Sequence, residues 1–266
     1  AFRNYSYTRH ADMYYFASDI HLGLPAGVDP AGREQLFVRW LAEVAQDAEA
    51  IFLVGDIFDF WYEYRHVVPK GFTRTLGKLS ELTDRGIPIH FFGGNHDIWT
   101  FRYLHDECGI TLHHAPYTSF ELYGQRVIIG HGDVLGPRPA GQRILSGVFR
   151  NRLLRTLFST LHPYWAMSLG HGWSQSNRAS RPVSHQFRGE DEPIVRFAHH
   201  YQHAHQEAPA NLFVCGHIHC AELFPLQEGG EIAFLGEWIE HPTYGQLSPE
   251  GFQLKKYPAE HTADKH

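Results

Sequence analysis

The sequence predicts one α+β domain, and three features carry that prediction. Five short apolar runs, each the length of a buried strand, end at glycine or a polar residue; segments with helical spacing of apolar residues lie among them; the C-terminal part reads as hairpins with Gly and Pro turns. With 266 residues and 43% hydrophobic content the chain can bury a substantial core. It contains no internal repeat and no linker. Residues 1–266 therefore read as one domain, with an insertion over 134–190 and a frayed tail over 258–266.

Taken in order, Met13–Ala17 is a strand followed by Ser18-Asp19-Ile20-His21. Leu36, Phe37, Trp40, Leu41 and Val44 place a helix over Gly32–Gln46, which leads to the strand closed by Gly55-Asp56 and completes a βαβ unit. Phe60–Lys70 reads as loop, and Leu76, Leu79 and Leu82 mark a helix from Phe72 to Arg85, stopped by Gly86. Pro88–Phe92 is a strand ending in Gly93-Gly94-Asn95-His96-Asp97. After a less regular stretch, Gln125–Ile129 is a strand leading into Gly130-His131-Gly132-Asp133. A helix over Asp191–Gln206 precedes the strand Asn211–Cys215, which ends in Gly216-His217-Ile218-His219, and 231–238 and 245–257 read as hairpins.

Composition narrows the function classes. A formal net charge of -6 argues against general nucleic-acid binding. Three cysteines, Cys108, Cys215 and Cys220, form neither a disulfide framework nor a four-thiolate zinc site and point to a reducing compartment. No apolar run approaches the ~20 residues that span a bilayer, so a soluble or membrane-peripheral protein is expected. Most of the 21 histidines, among them His10, His66, His113, His114, His185 and His261, sit in polar or turn-like sequence and read as surface residues.

The polar strand ends carry the chemistry. Exit loops of neighbouring strands share one rim, and Asp19, His21, Asp56, Asn95, His131, His217 and His219 would all lie on it. Seven O and N ligands suit two divalent ions if Asp56 bridges them, and the lack of thiolate favours Mn, Fe, Co or Zn. Two ions about 3.5–4 Å apart can hold a bridging hydroxide and neutralise phosphoryl oxygens, which suits hydrolysis of a phosphate ester or anhydride. His96 is then placed to donate a proton to the phosphoryl or leaving group, with Asp97 orienting its ring.

Asp19-x-His21, Gly55-Asp56-x-x-Asp59, Gly94-Asn95-His96-Asp97, His131 and Gly216-His217-x-His219 resemble, in order, the motif set of calcineurin-like metallophosphoesterases. The resemblance implies an αββα β-sandwich flanked by helices. It implies one ion held by Asp19, His21, Asp56 and His219, and a second held by Asp56, Asn95, His131 and His217. Asp59 is either a partner standing behind a ligand or a loop cap.

Within that superfamily, Gly55–Trp61, Arg74–Leu79 and Arg150–His162 are similar to the UDP-2,3-diacylglucosamine pyrophosphatases of lipid A synthesis, closest to the Bacteroidetes-type branch. Such enzymes release UMP and 2,3-diacylglucosamine 1-phosphate, usually with manganese. The proteobacterial branch resembles Gly-Asn-Arg-Asp at the third motif, where this chain has His96. Residues 134–189 contain Arg138, Arg143, Arg150, Arg152, Arg155, Arg178, Arg181 and Arg188 but no Asp or Glu. Ile144, Leu145, Val148, Phe149, Leu153, Leu154, Leu157, Phe158 and Leu161 run among them at mostly helical spacing. They would line an acyl-chain cleft, with arginines meeting the diphosphate or membrane phosphates; a plain helical cap or an interfacial helix has the same pattern. Ser174, Asn177 and Arg178 resemble the family's sugar and phosphate contacts. The resemblance thus implies a cytoplasmic enzyme peripheral to the inner membrane, acting on a UDP-linked lipid with no obligate protein partner. The alternatives are a phosphoesterase for a soluble nucleotide diphosphate or phosphodiester, and an inactive partner-binding scaffold.

Overall fold

A computed structural model describes residues 13–25, 29–179 and 186–258, apart from the side chains of 171 and 173–179. The elements in chain order are β1 (Met13–Ala17), α1 (Pro30–Val44), β2 (Ala48–Val54), α2 (Thr73–Asp84), β3 (Ile89–Phe92), α3 (Tyr103–Cys108), β4 (Thr111–His113), β5 (Thr118–Leu122), β6 (Gln125–Ile129), α4 (Ala140–Arg150), α5 (Arg152–Ser159), α6 (Pro163–Ala179), α7 (Pro193–Ala204), β7 (Leu212–Cys215), β8 (Ala221–Pro225), β9 (Glu231–Leu235), β10 (Thr243–Ser248) and β11 (Gly251–Lys256).

They form a six-stranded sheet, β11-β10-β1-β2-β3-β4, and a five-stranded sheet, β5-β6-β7-β9-β8. β1 to β4 run parallel, as do β6, β7 and β9, while the flanking pairings are antiparallel. Alternation along the strands builds the layers. Phe16, Phe52 and Val54 face inward and meet Val127, Ile129, Val214 and Leu235 of the other sheet. Tyr15, Ala17, Ile51 and Leu53 face outward beneath Phe37, Trp40 and Leu41 of α1 and Leu79 and Leu82 of α2. On the opposite outer face, Ile128, Phe213 and Phe234 pack under Val195, Ala198 and Tyr201 of α7. The result is the expected αββα sandwich.

Several boundaries differ from the sequence reading for local reasons. α1 starts at Pro30 rather than Gly32, because Asp29 caps it through the Gly32 amide (3.1 Å) and proline suits the first turn. The stretch that reads as irregular holds α3, β4 and β5, and β8 also escapes the reading. All are six residues or fewer, too short for periodicity to register. His113 is not a plain surface residue: it stacks on Phe92 (4.5 Å) and lies 3.0 Å from His90 Nδ1. The tail from 259 onward, with His10, Arg181, His185 and His261, lies outside the described residues.

Between β6 and β7 the chain leaves the sandwich to form α4, α5 and α6. No residue of α4 or α5 is buried. Their tether runs through Trp99, which donates to the Phe149 carbonyl (3.0 Å) and stacks on Phe158 (5.1 Å), and through Tyr62, which donates to the Arg155 carbonyl (3.1 Å).

Candidate metal centre

The exit loops of β1, β2 and β3 meet those of β6 and β7. The β1 and β2 loops run side by side: the Asp19 amide donates to the Gly55 carbonyl (3.1 Å), His21 to Asp56 (3.0 Å) and Leu22 to Ile57 (2.9 Å). The β7 loop joins them where the His217 amide donates to Asp19 Oδ2 (2.9 Å), and the β3 loop where the His96 amide donates to Asp56 Oδ1 (2.9 Å). Two glycines make this closeness possible. A Cβ on Gly216 would sit 2.5 Å from Asp19 Oδ2, and one on Gly94 would overlap the Asp56 carboxylate.

The backbone here is strained. Among the described residues, the non-glycine residues with left-handed φ are Asp19, His21, Asp56, Phe72, Tyr123, His217 and His219. Five of those seven are expected ion ligands. Each such residue costs roughly 1–3 kcal/mol and persists only where its surroundings over-determine it.

Each aspartate has one oxygen anchored and one presented. Asp19 Oδ2 accepts from Ser18 Oγ (2.6 Å) and the His217 amide, while Oδ1 lies 3.2 Å from His219 Nε2 and 3.7 Å from His21 Nε2. Asp56 Oδ1 accepts from His96, while Oδ2 lies 3.3 Å from His131 Nε2 and 3.9 Å from His21 Nε2. That places Asp56 Oδ2 between the two sets of histidines, the position a bridge requires. His131 Nδ1 donates to the Val54 carbonyl (2.9 Å), which fixes the tautomer and turns Nε2 to the centre. Asp19 Oδ1, Asn95 Oδ1 and His131 Nε2 are buried without a hydrogen-bond partner. Three orphaned ligand-type atoms around one centre fit divalent ions.

The charges agree. Burial alone would raise the Asp19 and Asp56 carboxyls, yet both lie below the usual carboxylate range, Asp19 because of His21 and His219 and Asp56 chiefly because of His131 and His96. Burial works against charge on His131, but Asp56 and Asp19 hold it well above the ordinary histidine value. Burial and the neighbouring His131 push His217 down to about 4, leaving it neutral as a ligand must be. Three His/Asp clusters capable of holding a divalent ion result: Asp19–His21–His219, Asp56–His131–His217 and His21–Asp59–His96.

The last cluster places Asp59 beside both His21 and His96, and Asp97 makes contacts other than the expected one with the His96 ring. Asp59 Oδ1 lies 3.4 Å from His21 Nδ1, behind an expected ligand, and its carbonyl accepts from His96 Nδ1 (2.9 Å). The ring of His96 is thus hydrogen-bonded to Asp59 rather than to Asp97. Asp97 instead spends its carboxylate on the amides of Gly94 (2.7 Å), Ile57 (2.8 Å), Asp56 (3.3 Å) and Phe58 (3.3 Å). Burial and the Asp56 charge push its carboxyl up to about 7. Burial also lowers His96, against the pull of Asp56.

The insertion differs from its sequence reading as well. Ile144 and Leu153 are each 68% exposed, and Leu145, Val148, Leu154, Leu157 and Leu161 also face solvent, while Phe149 and Phe158 pack on Trp99. An apolar groove of about 710 Å³ is lined instead by Gly23, residues of the Phe60–Phe72 segment and Pro163, Tyr164 and Met167 of α6. Ser174, Asn177 and Arg178 lie on α6 with their side chains outside the described set.

A family profile described as calcineurin-like phosphoesterase matches residues 14–221. The chain is 37% identical over 243 residues to a UDP-2,3-diacylglucosamine hydrolase of Porphyromonas gingivalis, a match covering 86% of this chain and 92% of that one. It is 29% identical over 255 residues to the UDP-2,3-diacylglucosamine hydrolase of Edwardsiella ictaluri, covering 94% of each. The corresponding protein of Pectobacterium carotovorum is 28% identical over 250 residues, covering 91% of this chain and 98% of that one.

Proposed function

The chain belongs to the calcineurin-like phosphoesterase family and is a metal-dependent hydrolase; on that premise we propose that it cleaves the diphosphate of UDP-2,3-diacylglucosamine, giving UMP and 2,3-diacylglucosamine 1-phosphate. The observation that carries the lipid substrate is the apolar groove of about 710 Å³ whose lining includes Gly23 and Phe60, which follow His21 and Asp59 closely in the sequence. A soluble nucleotide substrate has no use for such a groove, whereas acyl chains do. The names of the relatives at 37%, 29% and 28% identity agree with this reading.

In this reading Asp19, His21, Asp56 and His219 hold one ion and Asp56, Asn95, His131 and His217 the other, manganese in both. Bound ions supply a nucleophile at neutral pH by lowering the pKa of water, and they neutralise charge on the phosphoryl oxygens. His96, held through Nδ1 by the Asp59 carbonyl, presents Nε2 to the phosphoryl group. Burial keeps the ring neutral until an anionic substrate arrives beside it and favours the second proton, which Nε2 then gives to the leaving group.

The insertion over 134–190 acts as a cap at the membrane. Exposed Ile144, Leu153, Leu157, Trp165 and Leu169, within residues 134–189 that carry arginines and no carboxylates, suit an interfacial surface facing anionic lipid on the cytoplasmic side of the inner membrane. No helix among the described residues is long and apolar enough to cross a membrane.

The test is product formation from UDP-2,3-diacylglucosamine, with mass detection of UMP, against a UDP-sugar lacking acyl chains, each with and without Mn. Mn-dependent UMP release that prefers the diacyl substrate is expected. Equal kcat/KM on the two substrates would leave a soluble nucleotide diphosphate as the substrate class, and no turnover by Mn-loaded protein would leave a partner-binding scaffold.

A further inference from the structure

α1 buries a stripe formed by Leu36, Phe37, Trp40, Leu41 and Val44, and Arg33 stands at the start of the same stripe. An apolar residue would suit that position, yet Arg33 is fully buried there. Burying a guanidinium is costly unless its N–H groups are satisfied, so its presence points to acceptors that need it. Nη1 donates to the carbonyl of His21 (2.8 Å) and to that of Leu24 (3.2 Å). These carbonyls open and close a turn in which the Leu24 amide also donates to His21 (3.1 Å).

His21 is one of the strained residues, with φ 50°. It is held on three sides: its amide donates to Asp56, its ring faces Asp59 at 3.4 Å, and its carbonyl accepts from Arg33 as well as from the Leu24 amide. The third contact is anchored on a rigid base. The Arg33 amide donates to the Asp29 carbonyl (2.9 Å), and Asp29 caps a 15-residue helix whose apolar face is buried.

We propose that Arg33 is a positioning residue for the ion ligand His21, holding its carbonyl and so aiming its imidazole at the Asp19–His219 ion rather than the Asp56–His131–His217 ion. The assignment rests on the two-ion reading above. Nη1 serves both carbonyls with two N–H groups fixed in the guanidinium plane, whereas the ammonium of lysine sits on a flexible stem and is free to rotate.

The experiment is Mn titration of chelator-stripped protein by calorimetry, with electron paramagnetic resonance on the same samples, for wild type, Arg33→Lys, Arg33→Met and His219→Ala. Circular dichroism and thermal melting check folding. Wild type is expected to bind two equivalents with an exchange-coupled signal. Arg33→Lys is expected to bind one equivalent as wild type does and the other about 10–100-fold more weakly, as loss of a contact supporting a ligand does. At one equivalent it should show an isolated Mn signal matching His219→Ala. If Arg33→Met does not fold, Arg33→Lys alone decides. Two equivalents at wild-type affinity, or equal weakening of both in folded Arg33→Lys, would overturn the assignment. A wild type that binds fewer than two ions would instead remove the two-ion reading on which it rests.

Discussion

Asp97→Asn separates two roles for a residue next to His96. The substitution keeps the shape of the side chain but exchanges one acceptor oxygen for an NH2 donor. Asp97 Oδ1 accepts from the Gly94 and Asp56 amides and Oδ2 from the Ile57 and Phe58 amides, all in a fully buried setting. Whichever way the asparagine turns, two buried amides face a donor. Each unmet buried amide costs about 1–3 kcal/mol, so the variant should lose about 2–6 kcal/mol, a large share of a domain stability of ~5–15 kcal/mol. Urea denaturation of chelator-treated protein measures this, and a midpoint shift of roughly 0.7–3 M is expected for a slope of ~2–3 kcal/mol per M. Because these amides set the turns carrying Asp56 and Asn95, ion affinity should fall with stability. A variant within ~0.5 kcal/mol of wild type that binds ions normally but turns over slowly would refute the reasoning, since Asp97 would then act through the His96 ring.

Three further outcomes are expected. Asp56→Ala should abolish exchange coupling between bound Mn ions and nearly all turnover, read by paramagnetic resonance and UMP release; retention of both would remove the bridge. His96→Ala should keep both ions while kcat falls about 10²–10⁴-fold, the usual contribution of a general acid, and wild-type turnover would exclude that role. His199 lies 2.6 Å from Glu190 and 2.5 Å from Glu228. Burial opposes charge on it but the two glutamates raise its pKa above 6.5, so its stabilisation is full below the unfolded value and lost as pH rises through the folded one. Thermal melting of wild type against His199→Gln should show a gap at about pH 6 that closes by about pH 9; a gap that widens with pH would contradict the sign.

What the sequence makes legible follows from the length scale of each signal. The expected ligands are readable because short buried strands end in a small residue and then a carboxylate, amide or imidazole: serine before Asp19 and glycine before Asp56, Asn95, His131 and His217. Roles that depend on backbone acceptors and donors are not. Asp97 adjoins His96 in sequence, yet its partners are amides 39 to 41 residues away as well as Gly94, which no spacing rule reveals. Arg33 left a trace, a cation on an apolar helical stripe, but its partner is a carbonyl exposed by an unusual φ. The cap shows the converse error. Helical spacing identified amphipathic segments in 140–161 but not which way the apolar face turns, and that face lies in solvent while the groove forms from α6 and the Phe60–Phe72 loop.

The strained ligands and the groups that clamp them belong to one arrangement. Left-handed backbone at Asp19, His21, Asp56, His217 and His219 turns their side chains onto a common centre, and at roughly 1–3 kcal/mol each such a cluster would relax if left to itself. It is held by other chain segments: the Trp238 amide on the Asp19 carbonyl (3.1 Å), Arg33 on the His21 carbonyl, His217 on the Asp19 carboxylate and Asp97 across the Asp56 turn. Because these clamps come from α1 and the loops after β3, β7 and β9, the centre is assembled only when the whole sandwich is. Ion binding therefore selects the folded chain, and ions at 100 times their dissociation constant would add about 2.7 kcal/mol per site. That gain is comparable to the strain of one or two ligand residues, so the fold itself, more than the ions, must carry the cost of the geometry.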